Sequence, residues 1–372
     1  MNNKFSIKKQ SKIKVLFFPY GLNPYQSLLK DHLFKEMGIL VKPFNNDFID
    51  KHGFILGILF FPFRLLYFRL RGFNILHLHW ITAFMIQFKN KYFHFPSLIY
   101  IIYFLIILKI LNYKIVWTIH NLKSHDGKFV YDKLAGILIS KLVNAKIIHS
   151  NNNYEEMKKI GYNTKNTYVI PHGNYISVYE NTISRQTARH ILKISNENYV
   201  LLFFGRVEKY KGIENLIEEF INLFLPNSNL LIVGYCSDKS YQDTLLKYKK
   251  DNIYFNFSYI EDEKVQIYFN AADVAAYPFT YITTSGSAIL SLSFGKAVIA
   301  PLLGNIVDLP KNVGFFYPIN DEKGLREAIM QSAIHKSKLP LMGKDAYNYA
   351  KSISWEKIAG ETCNVYKKVL KL

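Results

Sequence analysis

Cysteine is nearly absent: the 372 residues include two, Cys236 and Cys363, far apart in the chain. That excludes a disulfide scaffold or a cysteine-rich metal site and points to a reducing compartment. Acidic residues are scarce too, 28 Asp and Glu against 47 Lys and Arg, for a formal net charge of +19. A field of that sign draws anionic partners, among them nucleic acid, anionic lipid and phosphorylated metabolites. No apolar run is long enough to span a membrane. Of two candidates, Phe54–Phe68 is broken by Pro62 and Arg64, and Ser97–Leu111 would reach about 22 Å as a helix against a ~30 Å hydrocarbon core. Met1–Lys14 is polar and lysine-rich and leads straight into a strand-like Val15–Phe18. It lacks the apolar region of a signal peptide, so the expected location is cytoplasmic. Both apolar segments read as helices of a soluble domain resting on an anionic bilayer, with Arg64, Arg69, Arg71 and Lys109 at headgroup depth.

What is present is apolar material for more than one core, 49% hydrophobic and 16% aromatic residues. Short β-rich runs alternate with helical patterns, the sequence form of βα units on a mainly parallel sheet, hence an α/β fold. The expected strands of the first half are Lys14–Phe18, Ile75–His79, Ile115–Ile119, Ala145–Ser150 and Thr167–Ile170. Those of the second half are Tyr199–Phe204, Asn229–Val233, Ile253–Asn256, Val274–Ala276 and Ala297–Ala300, with Gly314–Phe316 at an edge. Tyr175–Thr187 has no sustained periodicity and is rich in Ser, Thr and Asn, which marks a linker. The expected organisation is a first Rossmann-like domain over 1–176, a linker over 177–190, a second such domain over 191–354, and an amphipathic C-terminal helix over 355–372.

Ligands of open parallel sheets sit beyond the carboxyl ends of the strands, so the residues after each strand carry the functional signal. After Phe204 comes Gly205-Arg206-Val207-Glu208-Lys209-Tyr210-Lys211-Gly212. Gly205 permits a tight turn, and Arg206 and Lys211 stand on the loop entering a helix, where backbone N–H groups and the macrodipole already favour phosphate. Two cations there suit a diphosphate, although solvated loop charges in a basic protein have the same composition. After Ala276, the run ending Thr283-Thr284-Ser285-Gly286-Ser287 offers hydroxyls and a glycine backbone at a helix mouth, an anion-binding nest. Ser and Thr also serve there simply as N-caps.

Gly205-Arg206…Lys211-Gly212, Gly286-Ser287 and Phe294-Gly295-Lys296-Ala297-Val298-Ile299-Ala300-Pro301 together resemble the GT-B glycosyltransferases of the group-1 superfamily. Leu76-His77-Leu78-His79-Trp80, Val116-Trp117-Thr118-Ile119-His120-Asn121-Leu122 and Ile170-Pro171-His172-Gly173 look like its bacterial surface-polysaccharide branch. The resemblance implies two Rossmann-like domains facing across a cleft, with the C-terminal helix returning to the first domain. It also implies a nucleotide diphosphate sugar as donor, GDP-mannose or a UDP-hexose, and a polyprenyl-diphosphate-linked saccharide as acceptor, in O-antigen, capsule or exopolysaccharide assembly at the inner face of the inner membrane. Arg206, Lys211 and Gly205 would then contact the donor diphosphate, with Thr284, Ser285, Gly286 and Ser287 cradling it. One departure stands out: where many members of the superfamily carry two glutamates around this loop, Ile282 and Leu290 occupy the aligned positions. Neither can hydrogen-bond a ribose or a sugar, which leaves the anomeric outcome open.

An inverting displacement needs a base facing the acceptor hydroxyl, and histidine titrates nearest neutrality. His120 is the first candidate and Asp126 the second, with His125 beside it. His79, Trp80, Asn121 and His172 are candidates for the sugar or acceptor. His77-x-His79 has metal-pair spacing, but no cysteine or carboxylate cluster converges on it, so no protein-built metal site or cofactor is expected. A divalent ion accompanying the diphosphate stays open. The alternatives are a basic nucleic-acid-binding protein and a sugar-nucleotide epimerase of the same architecture. Dispersed lysines and the lack of a nucleic-acid module weigh against the first.

Overall fold

The structure is a computed structural model that describes residues 13–21, 23–45, 54–81, 94–122 and 131–372. The chain divides into two compact units, one comprising Met1–Pro171 with Trp355–Leu372, the other His172–Ser354.

The strands of the first unit are β1 (Lys14–Phe18), β2 (Leu40–Pro43), β3 (Ile75–Leu78), β4 (Lys114–Thr118), β5 (Ala145–Ile148) and β6 (Thr167–Val169). All pair in parallel in the order β2-β1-β3-β4-β5-β6. Its helices are α1 (Pro24–Met37), α2 (Phe54–Leu70), α3 (His94–Ile110), α4 (Asp132–Leu142) and α5 (Asn151–Ile160). Alternation along each strand sorts the side chains onto two faces. Leu16, Phe18, Leu76, Leu78, Ile115 and Trp117 face the core under α2, α3 and α4. Val15, Phe17, Ile75 and Val116 face the other core, closed by Tyr25, Leu29 and Leu33 of α1 and by Trp355, Ile358 and Tyr366 of the C-terminal helix. The start of α1 is written locally: the Asn23 side chain accepts from the Tyr25 N–H, Pro24 occupies the first turn, and Gly38 closes the far end with φ 65°.

In the second unit the strands are β7 (Tyr199–Phe204), β8 (Ser228–Val233), β9 (Ile253–Asn256), β10 (Val274–Ala276), β11 (Ala297–Pro301) and β12 (Gly314–Tyr317). They also pair in parallel, in the order β12-β11-β10-β7-β8-β9. Helices α6 (Arg185–Ile191), α7 (Ile213–Asn222), α8 (Lys239–Leu246), α9 (Asp262–Ala271), α10 (Gly286–Ser293), α11 (Gly324–Ile334) and α12 (Leu339–Ser352) connect or flank them, and α13 (Trp355–Leu370) is the C-terminal helix. In both sheets the chain runs outward on one side and then returns to the other side of its first strand. That creates a topological switch point between β1 and β3, and another between β7 and β10, where ligands of such sheets bind.

Three features differ from the sequence reading. Edge strand β2 was not expected; only Val41 of its four residues is buried, so no alternation marks it. Residues 177–190 are not an unstructured linker. The units part at Pro171/His172, the Gln266 side chain accepts from the backbone of Thr182 and Ile183, and Ser184 caps α6. Helix α1 also escapes the sequence reading, because the buried positions Tyr25, Gln26, Leu29 and Leu33 make a narrow stripe in an otherwise polar segment.

Candidate active site

In the second unit the two sequence-predicted loops leave the neighbouring strands β7 and β10. Gly205 follows β7 with φ 142°, a backbone conformation that side chains rarely adopt. A Cβ placed there would lie 2.7 Å from Ser287 Oγ and 3.6 Å from Lys211 Nζ. Gly205, Lys211 and Ser287 therefore converge on one small volume, although Ser287 lies far along the chain. The loops are tied to each other: the Thr280 N–H and hydroxyl donate to the Tyr210 carbonyl at 3.0 and 2.8 Å, and a Cβ on Gly212 would collide with the Pro278 carbonyl.

The side chains of this loop pair differ in kind. Lys211 is 8% exposed. Burial pushes its ammonium down to about 8, with Glu208 opposing the shift and Arg206 adding to it. Arg206 is 68% exposed and paired with Glu208 at 3.0 Å, a partner the sequence reading did not assign. Ser285 caps α10, its hydroxyl accepting from the Ala288 N–H at 3.1 Å, while its own N–H donates to Asn305 Oδ1 at 2.9 Å. The Thr284 hydroxyl is buried without a hydrogen-bond partner, a state costly enough to call for one. Gly286 and Ser287 form the first turn of α10, where unpaired N–H groups and the helix dipole favour an anion. Ile282 and Leu290 are buried, and neither side chain can hydrogen-bond a ligand.

In the first unit, histidines stand at the carboxyl ends of three adjacent strands. His79 follows β3, His120 lies just beyond β4, and His149 follows β5. His149 Nδ1 lies 2.9 Å from the Ile170 carbonyl oxygen. A carbonyl only accepts, so Nδ1 carries the proton, leaving Nε2 of the neutral ring as an acceptor. His120 Nδ1, 3.3 Å away, donates to it. His120 Nε2 in turn accepts from His79 Nδ1 at 3.2 Å, which leaves the lone pair of His79 Nε2 buried and unpartnered. In a row of neutral rings, the Ile170 carbonyl thus orients these three contacts in one direction. Burial and the neighbouring imidazoles hold His79 well below its ordinary range, and burial takes His77 down to about 3. His77 bridges Tyr366 Oη at 2.6 Å and Thr118 Oγ1 at 2.7 Å. Trp80 stacks on His120 at 4.5 Å and 18°.

In this arrangement the His120 lone pair, assigned from sequence to a base, is already taken by His79. Asn121 is half-buried next to it. His125 and Asp126 lie outside the described residues. His172 belongs to the second unit, its Nδ1 donating to the Gly173 carbonyl at 2.7 Å; burial pushes it down to about 4. The sequence reading missed His149, Tyr25 and Tyr366. The signal for His149 was available, since it repeats the strand-end position of His79 and His120. Among the described residues no three His, Cys, Asp or Glu side chains are grouped to hold a metal ion.

Residues 198–333, the stretch holding both loops, match the family Glycosyl transferases group 1. The second unit is a group-1 glycosyltransferase domain. Among curated proteins, the chain is 27% identical over 180 residues to alpha-monoglucosyldiacylglycerol synthase of Acholeplasma laidlawii, covering 46% of this chain and 44% of the relative. It is 23% identical over 252 residues to a GDP-mannose:glycolipid 4-beta-D-mannosyltransferase of Xanthomonas campestris, covering 66% of each. The alignments thus span less than two thirds of these relatives' lengths. Among solved structures, HepE of Anabaena in complex with UDP and glucose superposes with a TM-score of 0.75 at 17% identity, over 96% of this chain and all of HepE. Sucrose-phosphate synthase of Thermosynechococcus elongatus gives the same TM-score and identity, over 96% of this chain and 99% of that one. The group-1 domain and its companion unit therefore have the GT-B fold.

Proposed function

We propose that the chain transfers a hexose from a nucleotide diphosphate sugar, GDP-mannose or a UDP-hexose, to a polyprenyl-diphosphate-linked saccharide. The setting is the cytoplasmic face of the bacterial inner membrane, where the protein sits peripherally and serves O-antigen, capsule or exopolysaccharide assembly. The observation that carries the reading is the approach of Lys211 Nζ and Ser287 Oγ to the bare backbone of Gly205. In the transfer, the acceptor oxygen bonds to the anomeric carbon as the bond from that carbon to the diphosphate breaks. Negative charge grows on the departing phosphate oxygen, where Lys211, the Ser287 hydroxyl and the first turn of α10 meet it. The acceptor proton passes to a base, for which His120 is the first-unit candidate once its contact with His79 opens, with Asp126 second and His125 after it. His79, Trp80, Asn121 and His172 are the proposed sugar and acceptor contacts. The two glycolipid-acting relatives support a lipid-bound acceptor by their names alone.

The test is turnover with a panel of GDP-, UDP- and dTDP-sugars and a lipid-diphosphate acceptor, scored by product mass, for wild type and Lys211→Ala. Loss of about 3 kcal/mol of transition-state stabilisation lowers kcat about a hundredfold. Near-normal kcat in the variant at saturating donor would remove Lys211 from the reaction.

A further inference from the structure

Helices α2 and α3 pack on the same face of the first sheet and against each other, with Phe61 and Phe104 ring centroids 4.7 Å apart. Their inner faces supply core. Their outer faces should then be polar, and they are not. On α2 the exposed side chains are Leu59, Phe60, Phe63, Leu66, Tyr67 and Leu70, a continuous helical stripe with Phe63 67% and Leu70 79% exposed. On α3 the exposed large hydrophobic side chains are Phe95, Ile99, Ile106 and Ile110, again at helical spacing. Phe60, Phe63, Arg64, Tyr67 and Phe68 line a shallow groove of about 350 Å³. Contiguous apolar surface of this kind marks an interaction face.

The charges carried by the two helices are all of one sign. Neither helix contains Asp or Glu. The Arg71 guanidinium lies 4.1 Å above the Tyr67 ring, Lys42 Nζ lies 5.6 Å from the Phe68 ring, and Lys109 is exposed on α3. A second copy of this chain on the same face would set these cations against their equivalents with no carboxylate from either helix to offset them. No helix among the described residues is long and apolar enough to cross a membrane. Apolar side chains flanked by cations, on helices too short to span, match a surface with hydrocarbon beneath a layer of phosphates.

We propose that the outer faces of α2 and α3 are the surface by which this protein lies on an anionic lipid bilayer. Phe60, Phe63, Leu66 and Leu70 sit below the headgroups, and Arg71, Lys42 and Lys109 among the phosphates. The inference rests on the membrane-side part of the reading above and fixes its geometry: both helix axes lie in the plane of the interface, and the face of the unit bearing α13 points away from it.

The experiment is co-sedimentation of the full chain with vesicles of phosphatidylcholine alone or mixed with phosphatidylglycerol. The wild type should bind the anionic vesicles and bind the zwitterionic ones at least about tenfold more weakly. The double substitution Phe63→Asp/Leu70→Asp should weaken binding at least about tenfold on either composition. Arg71→Glu/Lys109→Glu should abolish the anionic preference. Phe224→Asp, on a still more exposed phenylalanine of the second unit, should leave binding unchanged. Titration of each variant with GDP and UDP reports on the second unit separately. Vesicle binding without nucleotide binding would sink the transfer reading and leave the surface standing. Unaltered vesicle binding by Phe63→Asp/Leu70→Asp overturns the surface, as would a dimer that dissociates on that substitution and ignores vesicles.

Discussion

Replacing Lys211 by Met should stabilise the protein while disabling it. The ammonium is buried beside Gly205 and Ser287, and burial brings it from 10.5 down to about 8. Since the unfolded chain retains the ordinary value, folding at neutral pH carries the cost of holding this charge in a dry place. At about 1.4 kcal/mol per pH unit, the displacement corresponds to about 3 kcal/mol. The sign follows from proton counting. Between about 8 and 10.5 the unfolded state holds the proton that the folded state has lost, so wild-type stability climbs with pH through that window and the penalty is fully present below it. Methionine has similar length and no charge. Urea unfolding at pH 7, followed by circular dichroism, should give Lys211→Met the higher midpoint, and the gap should narrow as pH rises from 8 toward 10.5. Turnover should fall about a hundredfold in the same variant. A variant less stable than wild type at pH 7, or one retaining activity, would refute the argument that the charge is kept for an anionic ligand.

Acid should unfold the first unit early. His77 and His79 are neutral and held far below 6.5, so the unfolded chain takes up their protons first, and stability drops by about 1.4 kcal/mol per histidine for each pH unit below 6.5; a denaturation midpoint unchanged from pH 7 to pH 5 would contradict this. Gly205→Ala should cost about 1–3 kcal/mol from backbone strain alone and abolish transfer, because its methyl would lie 2.7 Å from Ser287 Oγ; adding Ser287→Ala would relieve the contact but not the φ of 142°, so full recovery of stability in the double variant would show the strain argument to be wrong. Tyr366→Phe removes the partner of His77 Nδ1 and should destabilise by about 1–3 kcal/mol, measured by calorimetry, with little effect expected on nucleotide binding at the site proposed for the second unit.

Much of the scaffold was readable from residue order. Apolar runs such as Tyr-Val-Leu-Leu-Phe-Phe at 199–204 are buried throughout, and a central strand covered on both faces needs no partner information to be recognised. The approach of the two loops after β7 and β10, proposed here to hold a diphosphate, was readable for a related reason: glycine, cation and hydroxyl sit where strands end, and the parallel sheet turns that local position into a shared edge. Strand β2 escaped because an edge needs little burial. The pairing of Arg206 with Glu208 and the histidine row escaped because they are set by side-chain directions and by neighbours such as the Ile170 carbonyl. Residues 177–190 misled because their polar composition signalled a connector, whereas Gln266, distant in sequence, fastens that stretch to the body of the second unit.

The first unit is discontinuous, since α13 completes it from the far end of the chain. On a ribosome the second unit, drawn from one uninterrupted stretch, can close as it emerges, while Tyr25, Leu29 and Leu33 wait uncovered until Trp355, Ile358 and Tyr366 arrive. A helix made after the whole second unit is thus the one that seals the first sheet, and a message truncated between Ser354 and Trp355 would yield a finished second unit tethered to an open one.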